Sequence, residues 1–411
     1  MPHGMSDLPP PVNPTPALSR WQLAASSALS PFALVVVSPL LPELRRLFAA
    51  TEAEVQYVVS AYLLGLCLAQ LVLGALSDRY GRRPVLLVSL GVYMLMSVAC
   101  ALATSLEALI AARFVQACGA AGTAAICRAT VHDVHHGDAA AYYMSYIAAA
   151  HSIAHTLAPA IGGYTAEVVG LDGVFLGLGL LGAAMLAWSW RAMAETKPRA
   201  VHARRQSLGH LLWVNVHLLK SPVFVCYAMI YGLTGAPFFA FLAAAPAYFA
   251  DAFGISGGAF GLSWSSMSVA FLAGAMTSAR LVRRIGRAAL IAMMVLAAGT
   301  IGAGWPVLVA LAGATPVTLI APLVALSLVL GLITPLTLSG AIAAHPSLAG
   351  AASGLCGALT MACSALLSVV AGTLYDGSGL GLTWPMTASM AAMVGFYAAL
   401  RGVEARAARG S

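Results

Sequence analysis

The sequence predicts an all-α polytopic membrane protein whose 12 transmembrane helices form two six-helix pseudo-repeats. Three observations carry that prediction. First, 60% of the 411 residues are hydrophobic and only 9% are charged, whereas a soluble domain carries about 25% charged residues. So few charges do not cover a water-facing surface, so lipid is the solvent for most of the chain. Second, apolar runs of about the 20 residues needed to cross a bilayer follow one another in two sets of six, separated by a polar linker. Third, a charged loop motif after the second run returns in weakened form 205 residues later.

Taken in order, residues 1–20 are rich in proline and polar groups. They lack the basic start, apolar core and small-residue cleavage site of a signal peptide, so a disordered cytoplasmic tail is expected. Runs near 21–42, 54–75, 83–104, 107–130, 140–166 and 171–192 make an N-terminal bundle over 21–193. Residues 194–221 form a cytoplasmic linker, and 208–219 have the pattern of a short amphipathic helix at the membrane surface. Runs near 222–249, 258–280, 287–307, 316–341, 348–374 and 381–402 make the second bundle over 222–402. Residues 403–411 are expected to be a cytoplasmic tail.

Lys and Arg set the orientation of such a chain. With the N-terminus in the cytoplasm, 18 of the 21 basic residues, Arg128 among them, fall on the cytoplasmic side. Only Arg45 and Arg46 fall outside, and Arg113 sits within a run. The net charge of +7 is thus a topology device, and nucleic acid is not an expected partner. The seven cysteines lie inside apolar runs with no Cys-x-x-Cys pair, as small thiols packed between helices do. No cofactor and no metal is expected.

The stretch Gly74-Ala75-Leu76-Ser77-Asp78-Arg79-Tyr80-Gly81-Arg82-Arg83-Pro84 is a burst of charge between the second and third runs. Gly74 and Gly81 are expected to let the backbone turn there. Arg79, Arg82 and Arg83 supply positive charge where a membrane helix stops. This stretch resembles the loop between helices two and three of major facilitator superfamily transporters, G-x-L-x-D-R-x-G-R-R. The later copy, Leu281-Val282-Arg283-Arg284-Ile285-Gly286-Arg287, has Arg283 in the place of Asp78, so the acid matters only in the first half. The fourth run opens with Arg113-Phe114-Val115-Gln116-Ala117-Cys118-Gly119-Ala120-Ala121. It is similar to the family's R-x-x-Q-G-x-G-A-A, with Ala117 replacing the first glycine. In the fifth run, Leu157-Ala158-Pro159-Ala160-Ile161-Gly162-Gly163 resembles the antiporter motif A-P-x-x-G-G of twelve-span drug exporters. There Pro159 bends the helix, and Gly162 and Gly163 permit close helix contact. Pro39-Leu40-Leu41-Pro42, and Ala245-Pro246-Ala247-Tyr248-Phe249 leading to Phe253-Gly254-Ile255-Ser256, are similar to the bicyclomycin/chloramphenicol-resistance (Bcr/CflA) subfamily of drug:proton antiporters.

That resemblance implies the major facilitator fold and no enzymatic activity. It implies a monomer in the bacterial inner membrane, with the lipid bilayer, protons and a small molecule as partners. The expected activity is export of an antibiotic, siderophore or related metabolite by alternating access, in exchange for protons. A siderophore-specific exporter and a proton-coupled importer of the same fold are the alternatives. Gly74, Asp78, Arg79, Gly81, Arg82, Arg83 and Asp133 are then the cytoplasmic gate, with Asp78 opposite the partly positive N-terminal end of the eleventh span.

One departure is informative. The subfamily usually carries an aspartate shortly before the first-span proline, but here the stretch is Val35-Val36-Val37-Ser38, and no Asp or Glu lies well inside any run. His151 and His155, four apart on one helix face, are the substitutes to consider, because histidine titrates nearest physiological pH. Either they face the cavity and carry a proton or bind substrate, or they are bonded to hydroxyls and backbone of neighbouring helices. A third ligand for a metal is not evident. Arg113 either faces a cavity or snorkels to the headgroups. A fixed positive charge without core carboxylates suits a neutral or acidic cargo. Tyr57, Tyr62, Gln70, Gln116, Phe238, Phe239, Phe241 and Tyr248 together supply the apolar wall and few polar groups of a small-molecule site. The group His132, Asp133, His135, His136 and Asp138 is the one candidate for a membrane enzyme's catalytic cluster, and its spacing matches no zinc hydrolase motif.

Overall fold

The structure is a computed structural model that describes residues 19–135, 137–196, 208–345 and 348–410. The first crossing is broken. It consists of α1 (Arg20–Val35), a 3-10 turn (Ser38–Leu40) and α2 (Leu41–Leu47). Pro39 and Pro42 cause the break, because neither has an N–H to offer the carbonyl four residues earlier. Then come α3 (Glu52–Tyr80), α4 (Arg82–Ala101), α5 (Leu106–Val134) and α6 (Gly137–Ala192). Beyond the linker lie α7 (Leu208–Leu219), α8 (Pro222–Phe253), α9 (Gly257–Ile285), α10 (Arg287–Ala312), α11 (Pro316–Ala344), α12 (Ala349–Leu374) and α13 (Trp384–Gly410).

Among the described residues, 11 helices are long and apolar enough to cross a membrane. One of them crosses twice. The 56 residues of α6 are interrupted at Gly170, where φ is +75°; a straight helix of that length would span about 84 Å, against a hydrocarbon core of about 30 Å. The twelve crossings expected from the sequence are therefore present, and α7 occupies the stretch expected to form a surface helix. Helix starts follow ordinary capping rules: the Thr51 hydroxyl accepts from the Glu54 N–H while the Glu54 carboxylate accepts from the Thr51 N–H.

The same pairings recur in both halves. The second crossing packs on the fourth (α3 on α5) as the eighth does on the tenth (α9 on α11), and α4 meets α6 as α10 meets α13. Between the halves, α3 packs on α12 and α6 on α9, whereas neither α1 nor α5 packs extensively against α8 or α11. This leaves a cleft along those four helices. Below, the linker face is the one carrying Arg82 and α7, and the far face is the one carrying Arg45 and Asp251.

Three boundaries differ from the expectation. The helix α3 runs through Tyr80, so Gly74 lies inside it, and the turn is made at Gly81 alone, where φ is +98°. The acid and the arginine near the end of α3 remove no N–H and so do not stop the helix; the positive φ does. At the C-terminus, α13 continues to Gly410, so 403–410 is helical. Most consequential is α5, which extends to Val134, so Arg128 lies inside the helix, six residues before its end.

Candidate functional site

At the linker face the ends of α3, α4, α5 and α6 are tied together by charge. Arg82 is almost fully buried, with 7% of its side chain exposed. Its guanidinium donates to Asp78 at 2.8 Å, to Asp133 at 2.7 Å and 3.3 Å, and to the Ser77 hydroxyl at 2.5 Å. Glu195, just past α6, accepts from the backbone N–H of Arg82 at 2.9 Å and of Arg83 at 3.2 Å. It thereby caps α4, whose N-cap, Gly81, has no side chain for the task. A Cβ on Gly81 would strike the Glu195 carboxylate as well as strain the backbone. Arg83 donates to the Trp190 carbonyl at 2.8 Å and lies over that ring at 5.6 Å, while Arg79 lies over Tyr80. Asp78, expected to face the start of the eleventh span, pairs with Arg82 in its own half.

Deeper in the N-terminal half, Arg113 is fully buried. Its guanidinium donates to Gln116 Oε1 at 2.6 Å and to the Ala33 carbonyl at 3.0 Å, and lies 4.0 Å from the centre of the Tyr62 ring. Gln116 in turn donates to the Ser97 hydroxyl at 2.6 Å, and the Tyr62 hydroxyl donates to the Ser30 carbonyl at 3.1 Å. Ala33 is in the last turn of α1, where carbonyls lose their helical partners. The cation thus caps a broken helix from a neighbouring one and meets its partial negative charge. Arg113 neither opens on a cavity nor snorkels to the headgroups; it is part of the packing that holds the break in place.

The cleft between the halves holds a second polar group. Arg128 on α5 is partly exposed and lies close enough to His151 on α6 and Tyr231 on α8 for direct electrostatic coupling. His151 Nε2 shares a hydrogen bond of 2.7 Å with the Ser27 hydroxyl of α1. His155 donates from Nδ1 to the His151 carbonyl at 3.0 Å, which leaves its Nε2 as an acceptor. Both histidines therefore have a hydroxyl or backbone partner, and His151 also borders Arg128.

The far face joins the halves. Gly163 meets the backbone of Gly257 and Gly258, and Pro159 and Ala160 meet Gly261, so closely that a Cβ at Gly163 or Gly261 would collide with backbone. A Cβ on Gly162 would strike the Val36 carbonyl of the broken first span. The Ser265 hydroxyl donates to the Thr156 carbonyl at 2.5 Å. Arg45 bridges Glu52 at 2.9 Å and Asp251 at 3.5 Å, and Arg46 reaches Asp251 at 3.9 Å. Between described residues, the ion pairs that cross from one half to the other lie at this face.

The aromatic and polar residues expected to line one cavity are scattered. Tyr57 is exposed on α3, Tyr62 is sealed under Arg113, and Phe239 and Phe241 are in the core of the C-terminal half. Gln70 lies against Gly357 of α12, Phe238 packs edge-on to Trp264 and Phe271, and Tyr248 sits at the far face against Phe253. Residue type alone did not reveal which face each helix turns inward. Two residues escaped the sequence reading. Arg128 falls two residues inside the run at 107–130, where the charge count alone does not tell a loop cation from one in the cleft. Glu195 was hidden in the linker; its signal was the uncapped helix start after Gly81. In the cluster weighed as an enzyme site, Asp133 is engaged by Arg82 and His135 stacks on Tyr143 at 4.3 Å. His136 and the side chains of His132 and Asp138 lie outside the described residues. No group of three or more metal-ligating side chains occurs among the described residues.

Comparison with known proteins agrees with this architecture. The description of the Major Facilitator Superfamily matches residues 23–368. An uncharacterised transporter of Rickettsia felis is 29% identical over 268 residues, 64% of this chain and 65% of that one. The chloramphenicol resistance protein of Pseudomonas aeruginosa is 30% identical over 285 residues, 67% of this chain and 66% of that one. The multidrug transporter MdfA of Yersinia pestis is 28% identical over 281 residues, covering 66% and 68%. The chain thus spans about two thirds of the length of these relatives. A crystal structure of a bacterial homologue of the human lysosomal transporter Spinster, inward-facing and occupied, matches 93% of this chain and 95% of its own with a TM-score of 0.73. At 15% identity that likeness shows the fold alone.

Proposed function

The chain belongs to the major facilitator superfamily of transporters, and from that premise we propose that it is a secondary active exporter of a small molecule, working by alternating access in the bacterial cytoplasmic membrane in exchange for protons. The observation that carries this reading is the asymmetry of the two faces. At the far face the halves are joined by glycine contacts and ion pairs, and the first crossing meets α8 through its 3-10 turn and α2 rather than through α1, so the gap along α1, α5, α8 and α11 lies on the linker side. That is one of the two states an alternating-access carrier must visit. The distribution of Lys and Arg supports a cytoplasmic linker face, with both termini on that side. The relatives bearing the names of a multidrug transporter and a chloramphenicol resistance protein support export as the direction.

In this reading the network of Asp78, Arg82, Asp133 and Glu195 makes the N-terminal helix ends move as one unit. The half-exposed Asp78 carboxylate then meets the C-terminal half when the cytoplasmic side closes. The segment Pro159–Gly163 with Gly257–Gly261 is the outer seal. Among the described residues no Asp or Glu lies in the middle of a crossing. The proton is therefore assigned to His151, which is surrounded by Ser27, His155 and Arg128. An arginine in the cleft favours a neutral or acidic cargo, such as a polar antibiotic or a siderophore, over a lipophilic cation.

The test is transport by the purified protein in liposomes with an imposed pH gradient, using chloramphenicol and an acidic hydroxamate chelator as cargoes. Accumulation that collapses on adding an uncoupler is expected for at least one of them. Facilitated flux of both that ignores the gradient would overturn proton exchange.

A further inference from the structure

The charge on Arg128 has no counter-ion among the described residues. It lies on α5, five residues before Asp133 and so about 7 Å deeper than the linker-face network. A cation at such a depth is costly unless it is paired. Yet no hydrogen bond or ion pair joins its guanidinium to another described residue, and the carboxylate nearest in sequence, Asp133, is engaged by Arg82. Its electrostatic neighbours are Cys127, His151 and Tyr231, and none of these is an anion at neutral pH. Tyr231 belongs to the other half, across the cleft, and its hydroxyl also lacks a hydrogen-bond partner among the described residues. Two donors, one from each half, are thus left without acceptors beside an open cleft. Arg113 on the same helix is the contrast: two hydrogen bonds and an aromatic ring engage it.

We infer that the Arg128 guanidinium and the Tyr231 hydroxyl form a binding site for the carboxylate or a similar oxyanion of the transported molecule. The planar guanidinium presents paired N–H groups that match the two oxygens of a carboxylate, and the phenol supplies a further donor. An anion held this way bridges the halves at a point they must close around, so occupancy and closure are linked. The inference rests on the transporter reading for the word "transported", but the site itself can be tested without any flux.

The experiment is equilibrium binding of radiolabelled benzoate, with uncharged benzamide as its isostere, to the full chain in nanodiscs of neutral phosphatidylcholine. Wild type is expected to prefer benzoate. Arg128→Gln should weaken benzoate by about tenfold or more, Tyr231→Phe by about threefold, and Arg128→Lys by an intermediate amount. Arg280→Gln, an exposed arginine on the linker face, should leave binding unchanged. The thermal midpoint of Arg128→Gln should be no lower than that of wild type, since an uncompensated charge has been removed; this separates loss of the site from loss of the fold. No preference for benzoate over benzamide in wild type, or wild-type benzoate binding by Arg128→Gln, overturns the site. Complete displacement of benzoate by adding phosphatidylglycerol to the disc would assign it to a lipid headgroup and overturn the cargo role. If the binding pattern holds while the liposome assay finds no gradient-driven transport, the export reading fails and the anion site stands.

Discussion

The two faces of this molecule are held by opposite kinds of contact. At the far face α6 and α9 touch backbone to backbone through glycines, and among the described residues two arginines and two acids add ion pairs, much of their charge exposed to solvent. At the linker face a buried arginine with several partners ties the helix ends of one half together. The difference teaches how a carrier can be firm and switchable at once. Close packing of small residues depends steeply on distance and carries no long-range pull, so it can seal a face and release it. A buried charge network resists being pulled apart, so it suits a unit that must stay rigid while it moves.

The largest expected effect comes from spoiling the seal. Gly163→Val puts a side chain into the backbone of Gly257. Overpacking costs about 1–3 kcal/mol, and here the cost falls only on the state with the far face closed. Export in the liposome assay should drop more than about tenfold, with expression and helical content unchanged. Wild-type export would mean that the close approach is not needed.

Next in size is Asp78→Asn. The ion pair it removes is about half exposed on the acid's side, so stability should change by about 1 kcal/mol or less. Vesicles with an imposed pH gradient should nonetheless export severely less, because the acid acts in the state where the linker face closes. Export at the wild-type rate would refute the gate role.

Smaller is Arg113→Gln. It leaves the Ala33 carbonyl of the broken helix without its donor, and a lost buried partner costs about 1–3 kcal/mol. A lower thermal midpoint in detergent is expected, with benzoate binding per folded molecule retained. An unchanged midpoint would remove Arg113 from the scaffold.

The smallest effect is at the far-face ion pairs. Asp251→Asn should favour opening of that face by about 1 kcal/mol or less, and the difference from wild type should vanish near 1 M salt, where the screening length is about 3 Å. A difference that persists in high salt would show that Asp251 acts through something other than charge.

Much of the fold was legible because the bilayer forces it to be. Run length, basic loops and proline or glycine punctuation mark where the chain crosses, and the crossings lie where those signs put them. The site was less legible, for reasons visible in particular residues. Arg113 and Arg128 look alike in sequence: each is one arginine in one apolar run. What separates them is a break in another helix, whose orphan carbonyl accepts from one, and a seam between halves, which leaves the other without an acceptor. Neither the break's partner nor the seam's position follows from periodicity along α5. Likewise the fifth-span motif announced close contact without naming α9 as the surface it touches, and Gly74 had the look of a turn although only Gly81 needed the positive φ.

The account stands on the two faces opening in alternation. Spin labels at Val168 and Val317 report the far face, and labels at Arg191 and Arg406 the linker face, in a background with the seven native cysteines replaced. Distances measured by electron–electron resonance at about pH 8 and about pH 5.5, with and without the exported cargo, are expected to change reciprocally: the far-face pair lengthens as the linker-face pair shortens. Two distances that rise and fall together, or that stay fixed in every condition, would contradict it.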